Sequence, residues 1–334
     1  MYTSREQFRP QPNEERVTFE GITRNIPDAI RMAKLEVEST GMATTPEGKF
    51  AATYLLATRN LLHPVLDDLQ TIGPDFLLPI GGQEYNPERS IDEIGSLTAE
   101  YLANMTTDLP NFFLRTEESA QWQSMNHSNG TLETGERFAV IDPLDMTSSI
   151  QKKDRVQTSG VAIFDRNGNV KAVGITSLVD DGFVFVENRD GTVHIFPDNY
   201  LTPHEHQPNE HPIRVATMTR RMHQIRQLPL FTKEHAQWAM DCTSGFSVLG
   251  LLRGDVDTVI DAFKGNPWYE VVIWVNAAQQ LGFPVSDKDG NPVDIAGAVK
   301  RMIARHEGDS FRIPFVMSRT QKIHDTVLPL LKHT

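Results

Sequence analysis

The stretch Ala139–Ile150, AVIDPLDMTSSI, places two aspartates directly after an apolar run. The run is typical of a buried strand, and Pro143 follows the first aspartate, Asp142. Because proline has a fixed φ and no amide hydrogen, we expect the strand to end here and the backbone to turn. Such a turn directs Asp142 and Asp145 toward the same point.

Two carboxylates at such a short distance from each other favour a bound cation. At a separation of about 4 Å they repel by roughly 4 kcal/mol at an effective dielectric constant of 20. Oxygen ligands favour a hard ion, Mg²⁺ first, and the carbonyl of Leu144 between the acids is a further candidate ligand. We expect Met146, Thr147 and Ser148 to begin a helix or tight turn whose free N–H groups bind a phosphate oxygen.

Composition and charge limit the classes of function. The chain of 334 residues is 39% apolar and 23% charged, which is ordinary for a globular protein. Its formal charge of −12 argues against binding to nucleic acid polymers, which requires a basic face. Cys242 is the only cysteine, the first residues lack the apolar segment of a signal peptide, and no apolar run reaches the roughly 18 residues of a membrane span. We therefore expect a cytoplasmic protein that does not bind membranes.

The periodicity of apolar residues predicts groups of helices and strands in alternation. Strands are predicted in the segments NFFLRTEES, RFAVIDPLD, TSGVAIFD, VKAVGITSL, GFVFVEN, PIRVATM, FPVSD and RIPFVMS, and a helix, turn and strand in SGFSVLGLLRGDVDTVIDAF. Further helices are predicted over Pro27–Ser39, Glu47–Gln70, Ile91–Met105, Met222–Gln227, Thr232–Trp238, Tyr269–Gln280 and Gln321–Lys332. This pattern predicts a layered α/β (α+β) fold. We expect a loose arm over residues 1–22, an N-terminal metal-binding half over 23–200 and a C-terminal α/β half over 201–334.

Three further acidic segments stand in a fixed order around this stretch. Asp92 lies in SIDEIGSL, Glu117 and Glu118 end a predicted strand in LRTEES, and Glu270 opens a predicted helix in PWYEVV. The set resembles the signature of the lithium-sensitive, magnesium-dependent phosphatases, a family that includes inositol monophosphatase and fructose-1,6-bisphosphatase. The resemblance covers roughly residues 25–334, and it implies the layered αβαβα sandwich of that family.

The resemblance also implies a role for each matching residue. Two or three Mg²⁺ ions would be bound by Glu117, Asp142, the carbonyl of Leu144, Asp145 and Glu270. Asp92 and Thr147 would activate the attacking water, with Glu117 in the same catalytic set, and the backbone of Met146 and Thr147 would bind phosphate. The implied activity is hydrolysis of a small phosphorylated metabolite without a covalent phosphoenzyme, in a homodimer or homotetramer.

Candidate contacts for the substrate come from both branches of the family. Thr243, Ser244 and Gly245 lie near the stretch where inositol monophosphatases contact their substrate. Lys264 lies six residues before Glu270, as a phosphate-contacting lysine does in fructose-1,6-bisphosphatases. The expected substrate is a small phosphorylated polyol or sugar, and the alternatives are fructose 1,6-bisphosphate and a 3′-nucleotide bisphosphate.

Several residues keep other interpretations open. Met146 stands where the family has glycine, and its side chain can narrow the phosphate pocket. This departure keeps open a catalytically weak relative that binds metal and phosphate as a sensor. Asp92 has a rival interpretation as a helix cap, with Glu93 in the catalytic role. The spacing of His204, His206 and His211 disfavours a zinc site.

Overall fold

Helices alternate with strands throughout the described chain. The computed structural model describes residues 19–72, 87–117, 119, 121–125, 131–145, 155–197, 212–217, 225–232, 235–304 and 311–332. The helices are α1 (Phe19–Thr23), α2 (Ile26–Thr40), α3 (Pro46–Ile72), α4 (Pro87–Met105), α5 (Pro229–Thr232), α6 (Gly245–Arg253), α7 (Trp268–Gln280), α8 (Ile295–Ala304) and α9 (Gln321–Leu330). The strands are β1 (Phe112–Thr116), β2 (Gln123–Ser124), β3 (Arg137–Asp145), β4 (Thr158–Asp165), β5 (Val170–Ser177), β6 (Phe183–Arg189), β7 (Thr192–Phe196), β8 (Ile213–Ala216), β9 (Ala236–Met240), β10 (Thr258–Pro267), β11 (Val285–Ser286) and β12 (Arg312–Ser318).

The strands form two mixed sheets. The first has seven strands in the order β2-β1-β3-β4-β5-β6-β7, and β1 and β3 are its parallel pair. The second has five strands in the order β11-β12-β10-β8-β9, in which β8 pairs in parallel with both β10 and β9. Each sheet has helices on both faces, so its central strands are apolar on both sides.

Three apolar clusters define the layers. The first joins α2, α3 and α4 to one face of the first sheet through residues such as Leu55 and Ile141. The second fills the space between the sheets with α6, α7 and α8, and includes Phe164 and Trp274. The third packs α5 and α9 against the outer face of the second sheet. The order is therefore α-β-α-β-α, which confirms the predicted fold class.

Strand β3 continues past the point where the sequence predicts its end. Asp142 pairs with Gly160 of β4, and Asp145 pairs with Thr158, with a shift of register between the two pairs. The prediction of a break at Asp142 is therefore wrong. The intervening Pro143 is tolerated because it lies in a β-bulge, where the strand does not need its missing amide hydrogen for the ladder.

Other elements also differ from the sequence predictions. The helix predicted over Thr232–Trp238 is wrong for its second half, because Ala236–Met240 forms an edge strand that pairs with β8. Helix α8 was not predicted. Residues 19–22 of the predicted arm lie in α1, with Ile22 buried against the first cluster.

Some predictions fall on residues outside the described ranges. These are most of the predicted arm, the proposed junction between the two halves around residue 200, and the three histidines of the zinc alternative. The division into two halves stays a prediction. Within the described ranges, no helix combines the length and the apolar character needed to cross a membrane.

A buried histidine joins the strands of the second sheet to α9. His324 shares hydrogen bonds with Ser286 at Nε2 (2.9 Å) and with Ser318 at Nδ1 (3.0 Å). The Ser318 hydroxyl is also 3.0 Å from that of Thr258. Burial lowers the pKa of His324, and the nearby Asp325 opposes this shift. The imidazole is therefore held in its neutral form.

This network predicts how stability depends on pH. A histidine whose folded pKa is lowered stabilises the fold fully above its unfolded pKa of about 6.5, and that stability is lost as the pH falls below this value. We expect His324→Gln to lower the free energy of unfolding by about 1–3 kcal/mol at pH 7.5, because the buried hydroxyls of Ser286 and Ser318 lose the imidazole as their hydrogen-bond partner. The deficit should shrink toward pH 5.5.

Denaturant unfolding across that pH range measures the effect. His194→Gln is the matched control, because His194 is exposed on β7. A His324→Gln protein with the same pH slope as the wild type would show that the buried ring does not titrate in this way.

Candidate metal centre

Acidic side chains from four segments of the chain lie around the end of β3. Asp142 and Asp145 belong to β3, and Glu117 directly follows its parallel neighbour β1. The amide of Glu117 donates to the carbonyl of Ile141 at 3.0 Å, which places the ends of the two strands at the same edge. Asp92 comes from α4, and Glu270 lies in the first turn of α7.

Asp142 is the centre of this acidic cluster. Its side chain is 1% exposed, and neither carboxylate oxygen has a hydrogen-bond partner in the described part of the chain. Burial raises its pKa well above the ordinary value, and Glu117, Asp145, Glu270 and Asp92 raise it further, in that order. The fold thus places four negative groups within Coulombic range of a buried carboxylate.

The cluster is not a closed coordination shell. Among the residues that the structure describes, no group of three or more acidic, histidine or cysteine side chains has the geometry to hold a metal ion. Four other acids nevertheless lie close enough to raise the pKa of Asp142. The acids are therefore near one another, but farther apart than the ligands of a single bound ion. Ligation of one ion would require these side chains to draw closer.

Two donors fix the position of Asp145. The Thr158 hydroxyl donates to its Oδ2 at 3.3 Å, and the backbone amide of Gly245 donates to the same oxygen at 3.0 Å. Gly245 is the first residue of α6, so the carboxylate also meets the positive end of that helix dipole. Both contacts favour the ionised form of Asp145.

The loop before α6 is itself well anchored. The Ser244 hydroxyl caps the helix by accepting from the amide of Phe246 at 3.3 Å. The carbonyl of Thr243 accepts from the Asn266 side chain at 2.7 Å. Thr243–Gly245 therefore supports Asp145 through Gly245, and contact of this loop with a substrate stays a prediction. Lys264 is exposed in the bulged part of β10.

Tyr269 links the other two acids. Its hydroxyl donates to Glu117 Oε1 at 3.1 Å, and Glu270 is the next residue of α7. Burial raises the pKa of Tyr269 well above its usual range, and the neighbouring Glu117 and Glu270 raise it further. The tyrosine therefore stays protonated and acts as a donor.

Close packing holds α7 against β4. A Cβ atom on Gly160 would lie 2.1 Å from the Trp274 ring, so only glycine permits this approach. Gly160 is also the partner of Asp142 in the sheet. The same contact thus fixes the distance between the helix that carries Glu270 and the strand that carries Asp142.

Helix α4 contributes Asp92 from its interior. The helix begins at Pro87, so Asp92 lies more than one turn inside it, and the interpretation of Asp92 as a helix cap is wrong. Its side chain is 6% exposed and lies close enough to raise the pKa of both Asp142 and Tyr54. Its neighbour Glu93 is half-buried.

Solved structures of other proteins share the fold that carries this acidic cluster. No protein-family model matches the chain, and no curated protein does. An extragenic suppressor protein SuhB from Bartonella henselae aligns with a TM-score of 0.57 over 87% of this chain and 100% of its own, at 11% identity. An IMPase/NADP phosphatase complexed with NADP and Ca²⁺ aligns with a TM-score of 0.58 over 86% and 93%, at 15% identity. This chain has the inositol monophosphatase (IMPase) fold.

A further structure of this fold belongs to an IMPase/NADP phosphatase complexed with Mg²⁺ and phosphate. It aligns with a TM-score of 0.50 over 72% of this chain and 80% of its own, at 16% identity. The fold implied by the sequence resemblance is thereby confirmed. At such low identity the inositol monophosphatase fold does not determine the substrate.

Part of the predicted site lies outside the described residues. These positions are Met146 and Thr147, the predicted phosphate-binding pair, together with Glu118. Leu144 is described, and its side chain is buried in the first apolar cluster. The roles of these residues stay predictions.

Sequence reasoning missed the residues that support the acids. The Ser159 hydroxyl donates to the carbonyl of Asp142 at 3.2 Å and lies 3.2 Å from the hydroxyl of the buried Tyr54. Thr158 supports Asp145 from the same strand. The polar start of the predicted strand TSGVAIFD was the available signal, but its register against β3 could not be derived from the sequence.

Helix α4 also touches the bulge between the two aspartates. A Cβ atom on Gly95 would lie 2.5 Å from Cβ of Pro143 and 3.3 Å from its Cα. We expect Gly95→Ala to displace the bulge and weaken the binding of a divalent cation. Overpacking costs about 1–3 kcal/mol, which exceeds the gain of about 1 kcal/mol in helix propensity, so stability should also fall.

Calorimetric titration with Mg²⁺ and denaturant unfolding measure the two effects of Gly95→Ala. Glu100→Ala on the same helix is the control and should change neither. Unaltered Mg²⁺ affinity in Gly95→Ala would show that α4 does not position the aspartates.

The burial of Asp142 predicts a gain in stability on its neutralisation. An acid whose folded pKa is raised stabilises the fold fully below its unfolded pKa of about 3.9, and this stability is lost as the pH rises. In the presence of a chelator, Asp142→Asn should therefore melt at a higher temperature than the wild type at pH 7. The difference should disappear toward pH 4.

Thermal unfolding at several pH values tests this expectation. Asp108→Asn is the control, because Asp108 is exposed and should show no such pH-dependent gain. Equal melting temperatures of wild type and Asp142→Asn across the range would contradict the repulsion inferred at this site.

Proposed function

We propose that this chain is a magnesium-dependent phosphomonoesterase that hydrolyses a small phosphorylated polyol or sugar. The observation that carries the proposal is the carboxylate of Asp142, which is buried, lacks a hydrogen-bond partner among the described residues and lies within range of four other acids. Burying ionised groups of one sign is costly unless a counter-charge is supplied. A divalent cation is the counter-charge that fits.

The donor set favours Mg²⁺ over softer metals. Glu117, Asp142, Asp145 and Glu270 offer only carboxylate oxygens, and the carbonyl of Leu144 would add a further oxygen. Hard cations such as Mg²⁺ and Ca²⁺ prefer such ligands, whereas zinc sites commonly use histidine or cysteine. When bound, Mg²⁺ would lower the pKa of water and stabilise negative charge on phosphate oxygens. We propose two or three ions.

The chain's own residues would orient the reactants. Thr158 and the Gly245 amide hold Asp145 in place, and Tyr269 does the same for Glu117. Asp92, buried beside Asp142, would accept the proton of the attacking water, which the hydroxyl of Thr147 would relay to it. The water would attack phosphorus in line with the ester oxygen of the alcohol, the bond between phosphorus and that oxygen would break, and the departing alkoxide would take a proton from a solvent water.

The substrate class rests on the fold and the charge of the site. Two structures with this fold are of an IMPase/NADP phosphatase, one with NADP and one with phosphate. A strongly acidic chain attracts a phosphate ester only where bound cations reverse the local charge, so small esters that contact the metal directly are favoured. Fructose 1,6-bisphosphate and a 3′-nucleotide bisphosphate are the alternatives. The cytoplasmic location and the homodimer or homotetramer remain part of the proposal.

Release of phosphate from a panel of esters tests the proposed reaction. The panel should include inositol 1-phosphate, fructose 1,6-bisphosphate, 3′-phosphoadenosine 5′-phosphate and NADP. We expect hydrolysis that requires Mg²⁺ and stops in excess chelator. Asp142→Asn and Glu270→Gln should lower the rate by more than about 100-fold, beyond the range of 10–100-fold for the loss of an outer partner such as Thr158.

Two results would contradict this function. Hydrolysis at an unchanged rate in chelator would exclude the metal mechanism. Binding of Mg²⁺ and phosphate without hydrolysis of any ester would favour the sensor alternative, for which Met146 is the motivating departure. Asp289→Asn is the control, because Asp289 is an exposed acid in a turn where it pairs with Lys288.

A further inference from the structure

A cavity lies at the opposite end of α7 from Glu270. It has a volume of about 510 Å³ and is lined by the C-terminal half of α7, the turn between β4 and β5, the end of β6 and the start of α8. Its residues Asn276 and Gln280 lie six and ten positions after Glu270, which corresponds to about 9 and 15 Å along a helix. The volume is within the range of about 300–1,000 Å³ of small-molecule sites.

The floor of this cavity contains a buried amide with an unused donor. Asn276 is 3% exposed and lines the cavity. Its Nδ2 is buried and has no hydrogen-bond partner among the described residues. Leaving a buried donor without a partner lowers the stability of the fold. Because this nitrogen is closed off from solvent, an acceptor atom of a bound molecule would satisfy it once the side chain turns toward the cavity.

Three of the other four amide side chains of the lining are held in fixed positions. Asn169 Nδ2 donates to Asp165 Oδ2 at 3.0 Å, and Gln279 Nε2 donates to the carbonyl of Val293 at 3.3 Å. Asn188 Oδ1 accepts from the amide of Gly191 at 2.9 Å. Each bond uses one polar atom of its amide and orients the other. The lining therefore presents preorganised amide groups.

The charge of the cavity selects the class of ligand. Its lining contains four further amides besides Asn276, one exposed carboxylate, Asp294, and no lysine, arginine or histidine. A phosphate or carboxylate would find no cation there. Amides both donate and accept hydrogen bonds, which matches hydroxyl groups with the same two capacities.

We propose that this amide-lined cavity binds an uncharged polyhydroxyl compound, a free polyol or sugar. The less buried amides of the lining bind ligand hydroxyls, and Asn276 turns its amide toward the cavity to donate to one of them. If the proposed function holds, the neutral alcohol that the reaction releases belongs to this class, whereas its phosphorylated substrate does not. The cavity chemistry itself does not depend on hydrolysis.

Direct binding in excess chelator tests the site without turnover. Saturation-transfer NMR and calorimetry should detect wild-type binding of myo-inositol, sorbitol or glucose with a dissociation constant of about 10 mM or tighter. Inorganic phosphate should not displace the bound compound. Asn276→Leu keeps a similar volume and removes the amide, and we expect it to weaken binding about tenfold, the loss expected for one hydrogen bond in a buried site. Gln280→Ala should weaken binding by a smaller factor.

Asn167→Ala is the matched control. Asn167 is exposed in the β4–β5 turn beside the cavity but does not line it, so its loss should leave binding unchanged. Undiminished affinity in both Asn276→Leu and Gln280→Ala would overturn the proposal. So would the absence of binding of every neutral compound to the wild type, or displacement by phosphate. Since none of these measurements uses hydrolysis, failure here is distinct from failure of the proposed phosphatase activity.

Discussion

The burial of the Asp142 carboxylate within a bulge of β3 is the constraint that the surrounding structure must satisfy. The bulge admits Pro143 without breaking the strand, and it lets Asp142 and Asp145 occupy the same strand end while Gly160 and Thr158 oppose them across the ladder. Because each acid lowers the stability of the ionised form of the others, the fold must hold them together by other means. Apolar packing on both faces of the first sheet supplies that restraint.

The middle layer connects the acids to the second sheet. Helix α6 directs an amide at Asp145, and α7 carries Tyr269 and Glu270 to the end of β1. Both helices belong to the cluster between the two sheets, so the second sheet affects the acidic residues through them and through the contact of Asn266 with the loop before α6. A substitution in that layer can therefore alter the acidic cluster without touching an acid.

Sequence patterns indicated the acidic residues but not the residues that hold their side chains in place. Asp142, Asp145 and Glu270 stand at the ends of predicted elements, where charge after an apolar run is visible in a single sequence. The contacts of Thr158 and Gly245 with Asp145 depend on strand register and on packing between residues 100 positions apart, which local patterns do not contain. Strand β9 was mistaken for a helix for the same reason, since pairing with β8 rather than local preference decides its conformation. The amide of Asn276 gave no signal at all, because its burial depends on the turn and helix that cover it.

The parallel pairing of β1 with β3 and the late position of α6 and α7 in the chain have a consequence for folding. Pairs such as Asp145 and Gly245 join residues far apart in sequence, and contacts of this kind form slowly because long loops must close first. The first sheet and its two aspartates emerge during synthesis before the amide of α6 and the tyrosine of α7 exist. Until the middle layer docks, water rather than protein solvates these carboxylates, and their mutual repulsion is weak. The repulsion between the carboxylates therefore develops in the last stage of folding. It should raise the unfolding rate more than it lowers the folding rate.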